Sequence, residues 1–472
     1  MRFAVGVRVS GRCLPLICSH ATMLLTAKVI TNPSNIFAIR VQQGMTEAIL
    51  STKLQSGATI LTEHMPGLRS ATVGIWIKRG SRHETPDFNG ICHFIEHAVF
   101  KGTARRSVLD IAIESDRLGG NFDAYTSHEL TGFALKVVDH ALPQAFDLLA
   151  DMLLSPRFDQ TELEREQKVI IEEMKMVEDS PEEFLGELFQ AAYYPDHALG
   201  RPIEGTPETV SSFDHRRTAA FHRTAYHPRN FVIAAAGQVS HAELVELAER
   251  AFAAQEPTPG QQLSQAEENA LPPRAAAPIF IHRKRELEQA HLILATPWPS
   301  ARDEDRYAAS LLGSVIGGGT SSRLWQSVRE ERGLAYSVGA AASGFTDTGL
   351  FQIYAGTSPT QLDEVLTLAL AELRRVVREP VSLEELQLAK DQAVASILLG
   401  LESTSARAGS LARQEITHGR RISPDEIIAR LEAVTPEDMQ RVARARFTSD
   451  TLALGALGNL NGFKVSRSRL EI

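Results

Sequence analysis

Two histidines four residues apart and a glutamate between them form the densest chemistry in this 472-residue chain: His93-Phe94-Ile95-Glu96-His97. On a helix, residues four apart share a face, so both imidazoles can meet one ion. Glu96 follows His93 by three and adjoins His97, within reach of a water on that ion. The order H-x-x-E-H reverses the commoner metal-binding order H-E-x-x-H. Zinc suits such a set: two imidazole nitrogens, one carboxylate from elsewhere, and a fourth position left open for water. The neighbours Phe94, Ile95, Ala98 and Val99 predict a half-buried helix, where two histidines and a glutamate are expensive unless they bind something.

The third ligand must come from another element. A helix read as starting at the T-x-x-E box of Thr161 and Glu164 carries Glu162, Glu164, Glu166, Glu172, Glu173 and Glu178. Glu166 and Glu173, seven apart, lie on nearly one face, while Glu172 points about 100° away. Geometry alone leaves Glu166 and Glu173 as joint candidates.

The elements around these residues alternate. Strands are expected at 58–62, 71–77, 131–138 and 230–239, and helices at 90–101, 108–118 and 141–154. Ser180-Pro181-Glu182-Glu183 reads as another helix start. Between about Ala253 and Ala277, prolines and glycine break all periodicity, which marks a linker. Beyond it the order recurs: strands at 292–296 and 350–355, and helices at 305–316, from Thr360, and from the S-x-x-E cap at Ser382 and Glu385. The fold class expected is α+β, two homologous α/β-roll halves, each an antiparallel sheet with helices packed on it. The boundaries expected are 1–44 for a basic leader, 45–253 for the zinc-binding half, 254–276 for the linker and 277–472 for a metal-free half.

Composition excludes several classes. The chain is 43% hydrophobic and 23% charged, with three cysteines and a net charge of −9. Disorder and a disulfide framework are thereby set aside, and so is nucleic acid as the main partner. No apolar run is long enough to span a membrane. Residues 1–44 hold five basic residues and no acidic one, in the manner of a transit peptide. The other reading starts the protein at Met45. The location expected is the bacterial cytoplasm, or the mitochondrial matrix if the leader is a true transit peptide.

His93–His97 followed by Phe100-Lys101-Gly102-Thr103, then Ile171-Glu172-Glu173-Met174, resembles the pitrilysin/insulysin zinc peptidase family. The likeness is to its short members, the bacterial processing proteases and the β subunit of mitochondrial processing peptidase. It implies a zinc endopeptidase with one Zn2+ per chain on His93, His97 and Glu173, supported by Glu166, with Glu96 as general base. It also implies that Gly119–Thr126 ends in an edge strand, where Asn121, Asp123 and Ala124 hold the substrate as an added β-strand. Many members have Asn where Asp123 stands. Arg329 and Tyr336 match the second-half pair that stabilises the oxyanion. His197–Pro202 matches a segment read as structural. The substrate implied is an unfolded polypeptide or short peptide. The partner implied is a second subunit, in a homodimer or a heterodimer with a related chain. The rival reading is a non-catalytic partner subunit of such a dimer; a zinc hydrolase of non-peptide substrates is a third.

Overall fold

The computed structural model describes residues 49–253 and 273–472. The basic leader and nearly all of the linker lie outside the described residues. Two sheets form the frame. The first contains β1 (Ile49–Lys53), β2 (Thr59–His64), β3 (Ser70–Ile77), β4 (Asn121–Thr126), β5 (Thr131–Val138) and β6 (Phe231–Gly237), in the order β1-β2-β6-β3-β5-β4. The second contains β7 (Ile279–Arg283), β8 (Ala290–Pro297), β9 (Ala335–Gly344), β10 (Gly349–Thr357) and β11 (Ala453–Gly458), in the order β7-β11-β8-β10-β9. Each has one parallel pair, β2 with β6 and β7 with β11, and continues antiparallel to an edge hairpin. The second sheet therefore repeats the strand order of the first without β1. Most boundaries agree with the periodicity to within two residues.

Both faces of each sheet are covered, which explains the nearly continuous apolar runs in β3, β6 and β11. On one face of the first sheet, Val73, Ile75, Phe133, Leu135 and Ile233 pack with Phe146 and Leu149 of the helix Leu142–Leu154. Alternate residues, Leu61, Trp76, Val232, Ala234 and Ala236, point to the other face. There they meet Ala408, Leu411 and Ala412 of the helix Thr404–His418, which comes from far along the chain. The converse holds on the second sheet. Ile293, Ala295, Ala453 and Leu457 pack against Leu185, Phe189 and Tyr193 of the helix Pro181–Tyr193. Each half thus lends the other a covering helix, an exchange that periodicity does not disclose.

Polar contacts reinforce the exchange. Thr72 Oγ1 lies 2.8 Å from Thr404 Oγ1, and Arg407 forms a buried ion pair with Glu63. The tips of the two edge hairpins also join. Glu129, in the β4–β5 turn, accepts from Thr346 N at 3.0 Å and Thr346 Oγ1 at 2.7 Å in the β9–β10 turn. Arg82 pairs with both Glu129 and Asp347.

Two helix starts differ from expectation. The helix carrying the glutamates spans Gln160–Asp179 and is capped by Asp159, which accepts from Thr161 N and Glu162 N. Thr161 is therefore inside the helix and forms no box with Glu164; the side chain of Asp159, two residues earlier, caps the first turn instead. Ser180 does stand before Pro181, but its hydroxyl caps nothing. It also ends the preceding helix, donating its N–H to Met176 O and Val177 O. The Ser382–Glu385 box forms in both directions. No helix among the described residues is long and apolar enough to cross a membrane.

Leu411 is the anchor of the lent helix on the first sheet. Leu411→Ala is expected to lower the unfolding free energy by about 2–5 kcal/mol, measured by urea denaturation. An unchanged midpoint would contradict the packing role given to the exchange.

Candidate metal centre

The histidine helix is only eight residues long, Ile91–Ala98. It buries Ile91, Cys92, Phe94, Ile95 and Ala98 and turns His93 and His97 toward one side, with ring centroids 4.7 Å apart. The helix Gln160–Asp179 crosses this side and brings both candidate glutamates to it. One ligand atom each from His93, His97 and Glu173 lies within 4.8 Å of the others. Glu166 is placed differently. It accepts from His97 Nδ1 at 3.2 Å through one oxygen and pairs with Lys101 Nζ at 2.7 Å through the other. The alternatives left open by helical spacing are thus separated. Glu173 faces the histidine pair, and Glu166 grips the far nitrogen of one imidazole, fixing which nitrogen remains for an ion.

The electrostatics follow the packing. Burial and the neighbouring His97 push the His93 imidazole down to about 4. Burial also opposes protonation of His97, but its hydrogen bond to Glu166 and the charges of Glu173 and Glu96 outweigh it and raise that ring. Burial works to raise Glu166, yet His97 and Lys101 hold it below the usual carboxylate range.

Glu96 is buried, and burial raises it; the hydrogen bond from Thr126 Oγ1 at 2.6 Å opposes the shift, while the charges of Glu173 and Asp123 add to it. A carboxylate so placed is a proton acceptor poised nearer neutrality than a surface glutamate. The donor set, two imidazoles and a carboxylate with no lysine or arginine on Glu173 among the described residues, is chemically that of a zinc site with one open position.

The expected substrate strand is β4, which among the described residues is at the edge of its sheet and pairs with β5 alone. Asn121 and Asp123 are exposed, Ala124 is half-buried, and Thr126 at its end touches Glu96. Arg329 and Tyr336 are brought to each other, not to the histidines. The Arg329 guanidinium lies between the rings of Trp325 and Tyr336, at 4.1 and 4.7 Å, and donates to Tyr336 O at 2.8 Å. Tyr336 is 80% exposed. Among the described residues, none of their hydrogen bonds, ion pairs or ring contacts reaches His93, Glu96, His97 or Glu173. The hairpin tips join the halves near Gly344, whereas Tyr336 sits eight residues away along β9, roughly 26 Å of strand.

Three supporting residues were not singled out from the sequence. Lys101 and Thr126 stand inside segments read only as pattern, and nothing local shows that they hold Glu166 and Glu96. Glu84 accepts from Gly90 N and Cys92 N at the start of the histidine helix; its only sequence trace is the lack of a capping side chain at Gly90.

An acidic wall flanks Glu173. Burial, then the charges of Glu204, Glu178 and Glu183, push the Glu187 carboxyl up to about 7. A carboxyl whose folded value exceeds its ordinary value of about 4.5 takes up a proton on folding. It therefore opposes folding above pH 7 and ceases to do so below about 4.5.

Residues 59–207 match the model described as insulinase (peptidase family M16), and residues 212–393 match that of the peptidase M16 inactive domain. An uncharacterized zinc protease of Streptomyces coelicolor is 41% identical over 397 residues, covering 83% of this chain and 86% of the relative. An uncharacterized zinc protease of Bacillus subtilis is 38% identical, covering 84% and 95%. The crystal structure of a protease from Helicobacter pylori superposes with a TM-score of 0.80 at 21% identity over 87% of this chain and 99% of that one, a likeness of fold.

Glu187→Gln should raise the thermal midpoint at pH 8 and leave it unchanged at pH 4. Equal midpoints at pH 8 would show that burial and the neighbouring carboxylates do not penalise ionised Glu187.

Proposed function

Since the chain belongs to the insulinase family of peptidases (family M16), we propose that it is a zinc-dependent endopeptidase cleaving extended, unfolded polypeptide held as an added β-strand. The observation that carries this reading is the convergence of His93, His97 and Glu173, with Glu96 buried beside them. These three residues would hold one zinc ion, which supplies Lewis acidity, lowering the pKa of a water toward about 7 and polarising the scissile carbonyl.

The chain's own residues do the rest. The free edge of β4 offers backbone N–H and C=O groups to the substrate, with Asn121, Asp123 and Ala124 along it. Oε2 of Glu96 is occupied by Thr126, which leaves Oε1 to take a proton from the attacking water. As the C–N bond breaks, Glu96 returns that proton to the leaving nitrogen. Glu166 and Lys101 keep His97 aimed while charge moves.

Arg329 and Tyr336 stabilise the developing oxyanion, and they do so on a second copy of the chain or a related subunit. Their separation from the histidines within one chain and the exposure of Tyr336 support this reading. Two chains facing each other would then complete each other's sites. The neighbouring Glu173, Glu183 and Glu204 favour peptides with positive charge near the bond cleaved.

Glu96→Gln is expected to keep zinc and lose cleavage, because Glu96 moves protons and does not ligate. Near-parental turnover in the zinc-loaded variant would refute its role as base. Glu173→Gln should empty the site, whereas Glu166→Gln should weaken metal affinity or activity by about 10–100-fold. The reverse order would exchange their roles.

Tyr336→Phe should lower turnover by about 10²–10³ with zinc retained. Mixing inactive Glu96→Gln protein with Tyr336→Phe protein should restore about a quarter of parental activity, since half the dimers are mixed and each holds one intact site. No rescue after subunit exchange would show that each chain completes its own site.

A further inference from the structure

We infer that Glu84 is a positioning residue for His93, the imidazole of the pair that no hydrogen bond among the described residues aims. This rests on the zinc-peptidase reading and deepens it. The two histidines are held in unlike ways. The His97 ring is fixed through Nδ1 by Glu166, itself fixed by Lys101. The His93 ring has no such partner among the described residues, and its Nδ1 is buried without one. Its direction is therefore set by the backbone beneath it and by packing.

That backbone is the first turn of an eight-residue helix, too short to persist by its own hydrogen bonding. The first amides of a helix need outside acceptors, and the residue at the cap position, Gly90, has no side chain to supply one. Nor can it be exchanged for a capping residue. Gly90 sits at φ +93°, and a Cβ there would stand 2.4 Å from Glu204 O. The acceptor comes instead from six residues upstream.

Glu84 is 4% exposed. Its Oε2 accepts from Gly90 N at 2.8 Å and Asn89 Nδ2 at 3.3 Å, and its Oε1 accepts from Cys92 N at 2.8 Å. The residue after Cys92 is His93. A buried carboxylate on these amides also matches the positive end of the helix dipole. Glu84 is itself anchored, because Arg201 donates to its carbonyl oxygen. Two residues earlier, Arg82 is tied to Glu129 and to Asp347 of the second half. The helix is thus held at its start by Glu84 and at its end by Glu166, one buried carboxylate for each histidine.

The test compares the purified parent, Glu84→Gln and Ser382→Ala, the last removing a helix cap in the second half remote from the metal. Zinc affinity is measured by competition with a chromophoric chelator, kcat and KM on an unfolded polypeptide, and stability by thermal unfolding. The amide of Glu84→Gln can satisfy one side of the pair of backbone donors and presents N–H to the other. Its zinc affinity and kcat are expected to fall by about 10–100-fold, with KM within about twofold of the parent. Ser382→Ala should lower the midpoint and leave all three constants unchanged. Parental zinc affinity and kcat in Glu84→Gln, whatever its midpoint, would overturn the inference. If that variant does not fold, Glu84→Asp, which keeps the charge but is one methylene too short for both amides, is judged by the same criteria. A parent that binds no zinc and cleaves nothing overturns the zinc-peptidase reading itself, and this inference with it.

Discussion

Two imidazoles converge on one point only while the short helix beneath them keeps its turns, and Ile91–Ala98 cannot do that alone. Buried carboxylates at its two ends, Glu84 on the first amides and Glu166 on the last histidine, are the constraint on which the centre depends. Each carboxylate is in turn held by a cation or by a tethered backbone: Lys101 on Glu166, and Arg201 on the Glu84 carbonyl. Unpaired, either would be costly to bury. Paired, they convert a marginal helix into a rigid donor platform.

The fold serves that platform by fixing its surroundings. The first sheet supports the histidine helix and ends in β4, its edge strand among the described residues, so that Glu96 and the edge strand meet through Thr126. The exchanged helices Pro181–Tyr193 and Thr404–His418 fasten the two sheets to each other through apolar faces, and the joined hairpin tips add Arg82, Glu129 and Asp347. Apolar packing of this kind resists small displacements, and small displacements are what a three-ligand site would not tolerate.

Much of this was legible in the sequence, and the reasons differ by residue. The strands at Ser70–Ile77 and Thr131–Val138 announce themselves through β-branched and apolar runs bounded by turns. The Ser382–Glu385 cap is a local exchange of hydrogen bonds, readable from four residues. The H-x-x-E-H spacing is likewise local. Where two local signals overlap, as with Asp159 and Thr161, the charged one prevailed at the helix start. Non-local facts left no such trace. The amphipathic pattern of Pro181–Tyr193 shows that a face is buried, not that the sheet of the other half buries it. The role of Glu84 depends on a chain reversal that brings it over amides six and eight residues on. The distance between Arg329 and the histidines depends on the length and direction of β9, which spacing does not encode.

We propose that one zinc ion per chain, held by His93, His97 and Glu173, makes this protein a peptidase. The most direct test is titration of chelator-stripped protein with zinc while cleavage of an unfolded polypeptide is followed. No cleavage is expected without metal, then a linear rise that breaks at one zinc per chain. Cleavage that persists in the stripped protein, or that never appears at any zinc content, would contradict it.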